Sequence, residues 1–219
     1  MSDAVDAFDG AAHGYDEWYL TKKGGQVFVA ERRLVDSLLP LEGVGLEIGA
    51  GTGVFSDALT NEGRIVVCLD LSKKMLTRAK QRGLPCVLGS ADSMPFRRKS
   101  LGFAYFITVL EFLKTPIKAL EEVSRALGEA PVVALFINSD SPWGELYKTM
   151  KKTGDPIFKH AHLYSLKEVE EIFRKVGLSP AKALGTLTAG PTSPNAGDEI
   201  AEPSEKTGVI AVKLVKQSA

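Results

Sequence analysis

The sequence predicts an α/β fold: an open, mostly parallel sheet with helices on both faces. Three observations predict it. Short apolar runs alternate with amphipathic helical stretches across the first two thirds of the chain. The first of these runs ends in a glycine-rich turn, "LEIGAGTG", Leu46 to Gly53. The second of these runs, in "RIVVCLD", is apolar throughout rather than alternating, as expected of a strand covered on both faces.

Taken in order, the first forty residues read as helical, because Val27, Ala30, Leu34, Val35 and Leu38 fall near helical spacing and Pro40 follows. "VGLEIG" then reads as a strand, "TGVFSDALTN" as a helix and "RIVVCLD" as a second strand. "SKKMLTRAKQRG" has a natural N-cap in Ser72, an apolar face in Met75, Leu76 and Ala79, and a stop in Gly83. "CVLG" and "FAYFITVL" are further strands. "PIKALEEVSRAL" is a helix opening on proline, whose missing N–H costs least there. "PVVALFIN" is a fifth strand. After it come an irregular, aromatic-rich segment with a helix near residues 144–152, a helix in "SLKEVEEIFRKVG" with a Ser165/Glu168 capping box, and two last strand-like runs, "AKALGTL" and "GVIAVKLV". The Pro/Gly/Ser-rich loop between those runs is of a length that is usually functional or mobile. The whole reads as one domain, 1–219.

Composition narrows the function classes. The chain has 219 residues, 44% hydrophobic, and equal numbers of acidic and basic residues. Nucleic-acid binding needs a basic excess on some face, and no such excess shows. Two cysteines, Cys68 and Cys86, sit in apolar runs and make neither a disulfide framework nor a metal site. The acidic N-terminus does not read as a signal peptide, and no apolar run approaches the ~20 residues that cross a bilayer. The expected location is the cytoplasm, with no membrane partner; a homo-oligomer is compatible with all of this.

The glycine loop is where chemistry enters. A strand running through glycines into a helix lets a ligand approach the backbone and points helix N–H groups at it, although a bare tight turn would look the same. Gly49 and Gly51 fit the first two places of the dinucleotide fingerprint, but the third is Val54, and Glu47 would repel a pyrophosphate while welcoming a cation. No Gly-Lys-Ser/Thr follows, so Walker-type phosphate binding fails as well. Asp70 ends the second strand 21 positions after Gly49, where a carboxylate can take both hydroxyls of a ribose; it could instead cap the helix that follows. In "GSADSMPF", Asp92 could accept from the exocyclic amine of adenine while Leu71 and Met94 cover the ring, or it could be a turn residue.

These elements together resemble the class I S-adenosylmethionine-dependent methyltransferases, more loosely the small-molecule subgroup related to the ubiquinone and menaquinone enzymes. The resemblance covers roughly residues 44–138. It implies a Rossmann-like, seven-stranded, mostly parallel sheet whose last strand is antiparallel, and S-adenosyl-L-methionine as cofactor. It places Glu47 near the cationic methionine end and Gly49 and Gly51 under the cofactor. Asp70 falls on the ribose, Ala91 and Asp92 on the adenine, and Thr108 on the wall near the methionine part, with Leu71 and Met75 as further cofactor-binding residues. Two departures stand out: Gly102 where the family commonly has aspartate, and "GEAP" where it commonly has Pro-Gly-Gly.

The implied reaction is methyl transfer to a small-molecule acceptor. In-line positioning supplies much of the rate, so a base is optional. The N-terminal segment, 1–40, reads as a helical lid or as a helix packed on the sheet, and Tyr15 in it is the residue chosen to touch cofactor. Segments 139–164 and 189–207 are the substrate-side insertions. Glu111, His160 and His162 are the available acid–base residues, each with a structural alternative: a helix cap for Glu111, solvent exposure for the histidines. No third ligand lies near the histidines to make a metal site. Two other readings stay open: a cofactor-binding or scaffolding module without catalysis, and a nicotinamide-dependent oxidoreductase.

Overall fold

The computed structural model describes residues 3–217. Seven strands, β1 Val44–Ile48, β2 Ile65–Asp70, β3 Cys86–Leu88, β4 Phe103–Ile107, β5 Val132–Ile137, β6 Leu178–Thr186 and β7 Val209–Lys216, form one sheet in the order 3-2-1-4-5-7-6. The first five pair in parallel, and β7 inserts antiparallel between β5 and β6. The expected sheet and its antiparallel last strand are both found.

The helices are α1 Asp3–Ala11, α2 Glu17–Leu20, α3 Lys22–Asp36, α4 Val54–Asn61, α5 Lys73–Gln81, α6 Pro116–Leu127, α7 Pro142–Lys152 and α8 Leu166–Lys175. Alternation along β1 and β4 sorts the two cores. Leu46, Ile48, Ala104 and Phe106 face α6 and α8, meeting Leu120, Val123, Val169 and Phe173. Phe103 and Tyr105 face α3, α4 and α7, meeting Val27, Leu34, Phe55 and Trp143.

Local signals became the expected caps. The Ser72 hydroxyl accepts from Met75 N at 3.0 Å. Ser165 and Glu168 form the reciprocal capping box that opens α8. The "FAYFITVL" strand is shorter than expected. It stops at Ile107, because Thr108 turns to φ +50° and the chain leaves the sheet for a 3₁₀ turn, Leu110–Phe112. Gly102 has a packing reason: a Cβ there would lie 2.8 Å from the Gly43 Cα, where two backbones touch at the foot of β1 and β4.

The N-terminal helices are tied to the rest of the fold. Asp9 on α1 accepts hydrogen bonds from the Ser72 hydroxyl and, at 3.3 Å, from Lys74 N. Asp16 accepts from the Thr52 hydroxyl at 2.6 Å and from Arg82 at 2.6 Å. The long loop before β7 is pinned in turn: Trp143 Nε1 donates to Ala189 O at 2.8 Å, and Arg33 pairs with Asp198 at 2.9 Å. Among the described residues no helix is long and apolar enough to cross a membrane.

Candidate active site

The carboxyl ends of β1, β2 and β4 open onto a cavity of about 630 Å³, in the range of small-molecule sites and at the sheet edge where open α/β folds bind ligands. Its first end is built by the glycine loop. Gly49 N and Ala50 N both donate to Leu69 O, at 2.8 and 3.0 Å, so the loop folds back over the tip of β2. Gly49 holds φ +68°, and a Cβ there would sit 2.6 Å from both methyls of Val109. The close helix contact that the dinucleotide fingerprint assigns to its third glycine is made here by Gly53, whose Cβ would meet Leu84 at 2.6 Å and Ala79 at 3.0 Å.

Asp70 stands at this end. One carboxylate oxygen accepts from Gly51 N at 2.8 Å and the other from Ser72 N at 2.7 Å. Burial raises its pKa, and the backbone N–H bonds work against that rise. The cap of α5 is Ser72 rather than Asp70. Each Asp70 oxygen has accepted one bond and keeps a lone pair for another, so the carboxylate can still take ribose hydroxyls. Leu71, Met75, Ala91, Asp92 and Thr108 line the same end, with Asp92 held by the Thr115 hydroxyl. Met94 is not on the wall; it is buried in the core beside Ala91. Thr108 carries a left-handed backbone without being glycine. Such strain gathers at functional sites. The residues present fit S-adenosylmethionine: a carboxylate for the ribose, an apolar shelf, and a loop whose Gly51 would leave a Cβ in open space.

Glu47 is placed elsewhere. It is 2% exposed and is not on the cavity wall. Its side chain points into the α3/α4 layer, accepting from the Ser56 hydroxyl and, at 3.2 Å, from the Tyr105 hydroxyl. Burial pushes its carboxyl up to about 7. The reason is strand parity: Glu47 pairs with Tyr105 and shares its face, while Leu46 and Ile48 take the other. Its carboxyl ties β1 to α4 and β4, and the acids that do reach the cavity are Asp70, Asp92 and Glu31.

The second end is aromatic and comes from the segments flagged as insertions. Trp143, Tyr147, Ile157 and Phe158 line it, with Pro191 from the long loop. Tyr15 and Tyr19 join from the N-terminal segment, their rings 6.2 Å apart, and burial pushes the Tyr15 phenol to about 12, so it stays a neutral donor. Neither histidine reaches the wall. His160 ends the 3₁₀ turn Phe158–His160, and His162 is exposed with its ring against Tyr164 at 4.5 Å. Glu111 is 1% exposed and also off the wall; Oε1 accepts from Ile137 N at 2.7 Å and Oε2 has no partner. Burial pushes it up to about 7. Among the described residues no group of three or more His, Cys, Asp or Glu could hold a metal ion.

Sequence reasoning missed Glu31, which lies on the cavity wall and is 6% exposed. The signal was present: it falls four residues after Val27 and four before Val35, an acid on the apolar face of α3.

Comparison with known proteins agrees with this geometry. Residues 46–132 match the family model described as a methyltransferase domain. An uncharacterised protein of Methanocaldococcus jannaschii is 32% identical over 84% of this chain and 86% of its own. A demethylmenaquinone methyltransferase of Corynebacterium efficiens is 28% identical over 67% of this chain and 65% of its own. A Thermotoga maritima crystal structure, described as a SAM-dependent methyltransferase and possible histamine N-methyltransferase, superposes with a TM-score of 0.88 at 26% identity, covering 98% of this chain and all of that one. With the sheet order, the glycine loop and Asp70 pointing the same way, the chain belongs to the class I S-adenosylmethionine-dependent methyltransferases, enzymes that take S-adenosylmethionine as their cofactor.

Proposed function

We propose that this enzyme methylates a small, largely apolar acceptor enclosed in the aromatic end of the cavity. One observation carries the reading: a single cavity runs from Asp70 and Asp92, at the strand tips, to Trp143, Tyr147 and Phe158. In this reading Asp70 takes the ribose hydroxyls, and Asp92, Ala91, Leu71 and Met75 hold the adenine. Gly49 and Gly51 give the methionine part its backbone room, with Thr108 and Tyr15 beside it. S-adenosylmethionine, when bound, supplies a methyl on a positively charged sulfur whose leaving group is a neutral thioether. The chain's own task is then to align the acceptor and exclude water. Ordered geometry of that kind is worth about 7–11 kcal/mol of barrier. The N-terminal helices, held by Asp9 and Asp16, serve as the cover. A cytoplasmic location and independence of nucleic acid belong to the same proposal.

Calorimetry with S-adenosylmethionine and S-adenosylhomocysteine tests the cofactor assignments. Asp70→Ala should weaken both by about tenfold or more, the loss of a charged hydrogen bond; unchanged affinity removes Asp70 from the ribose. Incubation with methyl-labelled cofactor and cell extract tests the acceptor. Label confined to protein or RNA would refute a small molecule.

A further inference from the structure

The aromatic end of the cavity contains a carboxyl group with no partner. Glu31 is 6% exposed and faces the cavity from α3, and among the described residues no hydrogen bond or ion pair reaches its carboxyl oxygens. The other charge acting on it is Glu111, also acidic, and burial with that neighbour pushes its carboxyl up to about 8. Tyr15, Tyr19 and Tyr147 all feel its charge, so three phenols and one acid share this end. Two lysines reach the wall. The Lys23 ammonium is committed to Ser193 O and lies 5.9 Å from the centre of the Trp143 ring; Lys114 is exposed; neither pairs with Glu31. Buried acids are normally paired or hydrogen-bonded, because an isolated charge is costly away from water. An arriving cation would relieve this one, and the surrounding aromatic faces attract cations as well.

We propose that the methyl acceptor is an amine and that Glu31 binds its nitrogen. This rests on the reading of the aromatic end as the acceptor site. An ammonium group pairs with the Glu31 carboxylate and passes it one proton. The freed lone pair on nitrogen forms the new N–C bond as the methyl–sulfur bond breaks, and that bond's electron pair stays on sulfur as the thioether. The product leaves as a methylated ammonium, and the Glu31 carboxylic acid returns its proton to water. The tyrosine rings close around the nitrogen and hold out water.

The test uses the full chain saturated with S-adenosylhomocysteine, titrated with phenethylamine and tryptamine and with their alcohol counterparts, phenethyl alcohol and tryptophol. In the wild type each amine should bind about tenfold or more tightly than its alcohol, as expected for a hydrogen bond to a charged group. Glu31→Gln should erase that preference while S-adenosylhomocysteine affinity stays within about threefold. Amines that bind no better than alcohols, or not at all, overturn the proposal, as does a preference that survives in Glu31→Gln. If that variant fails to fold, the wild-type comparison decides alone. Failure of S-adenosylhomocysteine itself to bind would strike the cofactor assignments instead, so the two failures are distinguishable.

Discussion

Glu111→Gln should change how stability depends on pH. In the folded chain the Glu111 carboxyl is 1% exposed, holds one hydrogen bond from Ile137 N, and has Oε2 unpartnered. Burial, opposed only in part by backbone hydrogen bonds, raises it from 4.5 to about 7. Below 4.5 it is neutral in both the folded and unfolded chain, and its contribution to stability is fully present. As pH rises, the unfolded chain gives up the proton first, so that contribution falls until pH passes the folded value near 7. At about 1.4 kcal/mol per pKa unit, the wild type should lose up to about 3 kcal/mol from this group between about pH 4.5 and pH 8. A glutamine side chain cannot titrate, so the variant's slope should be shallower and its advantage should grow toward about pH 8. Glu31 feels the Glu111 charge, so a small share of the difference will come from Glu31 as its own titration moves down. Urea unfolding followed by circular dichroism at about pH 5 and pH 8 measures both chains. Parallel slopes would mean that Glu111 titrates normally and that its burial is wrong.

Gly49→Ala should cost about 1–3 kcal/mol of stability and weaken S-adenosylhomocysteine binding by more than about tenfold, since φ is +68° and the new methyl would meet Val109 at 2.6 Å; Val109→Ala in the same chain should restore part of the loss, read by calorimetry. Asp16→Ala removes the acceptor for Thr52 and Arg82, so amide hydrogen exchange should speed up across residues 3–20 while the global urea midpoint barely moves. Ser165→Ala breaks the capping box of α8 and should lower stability by about 1 kcal/mol without touching cofactor affinity, because α8 packs on the sheet face away from α3 and α7.

Much of the fold was legible because its signals are local. A proline at the start of α6, a serine at the caps of α5 and α8, and runs of apolar residues for β2, β4 and β5 each act within a few residues. The early end of β4 was not legible, since every residue of "FAYFITVL", the β-branched Thr108 included, suits a strand while the backbone turns at Thr108. The pairing with β5 runs on through the bond from Thr108 N to Leu135 O, and the chain then leaves the sheet so that Val109 packs against Gly49, a contact between distant positions. The N-terminal helices were legible as helices, but their attachment through Asp9 and Asp16 joins residues more than thirty positions apart, and no local pattern carries it.

The site divides along the same line. Asp70, Asp92, Thr108 and the glycines Gly49 and Gly51 all line the cavity, because each stands at or just beyond the carboxyl end of a parallel strand. Glu47 and Glu31 both lie where the sequence did not indicate, the first off the cavity wall and the second on it. Glu47 was read toward the ligand because it stands in the loop motif, yet one residue of parity turns it into the α3/α4 layer, where Ser56 and Tyr105 take up its carboxyl. Glu31 went unread because it lies in a helix that looked like cover for the sheet, yet helical periodicity puts it on the buried face of α3, facing the cavity without a partner. For each acid the side chain's direction, not its distance from the motif, settles its role. Glu47, closed off by Ser56 and Tyr105, ties its strand to its neighbours, whereas Glu31 leaves its carboxyl open to the cavity.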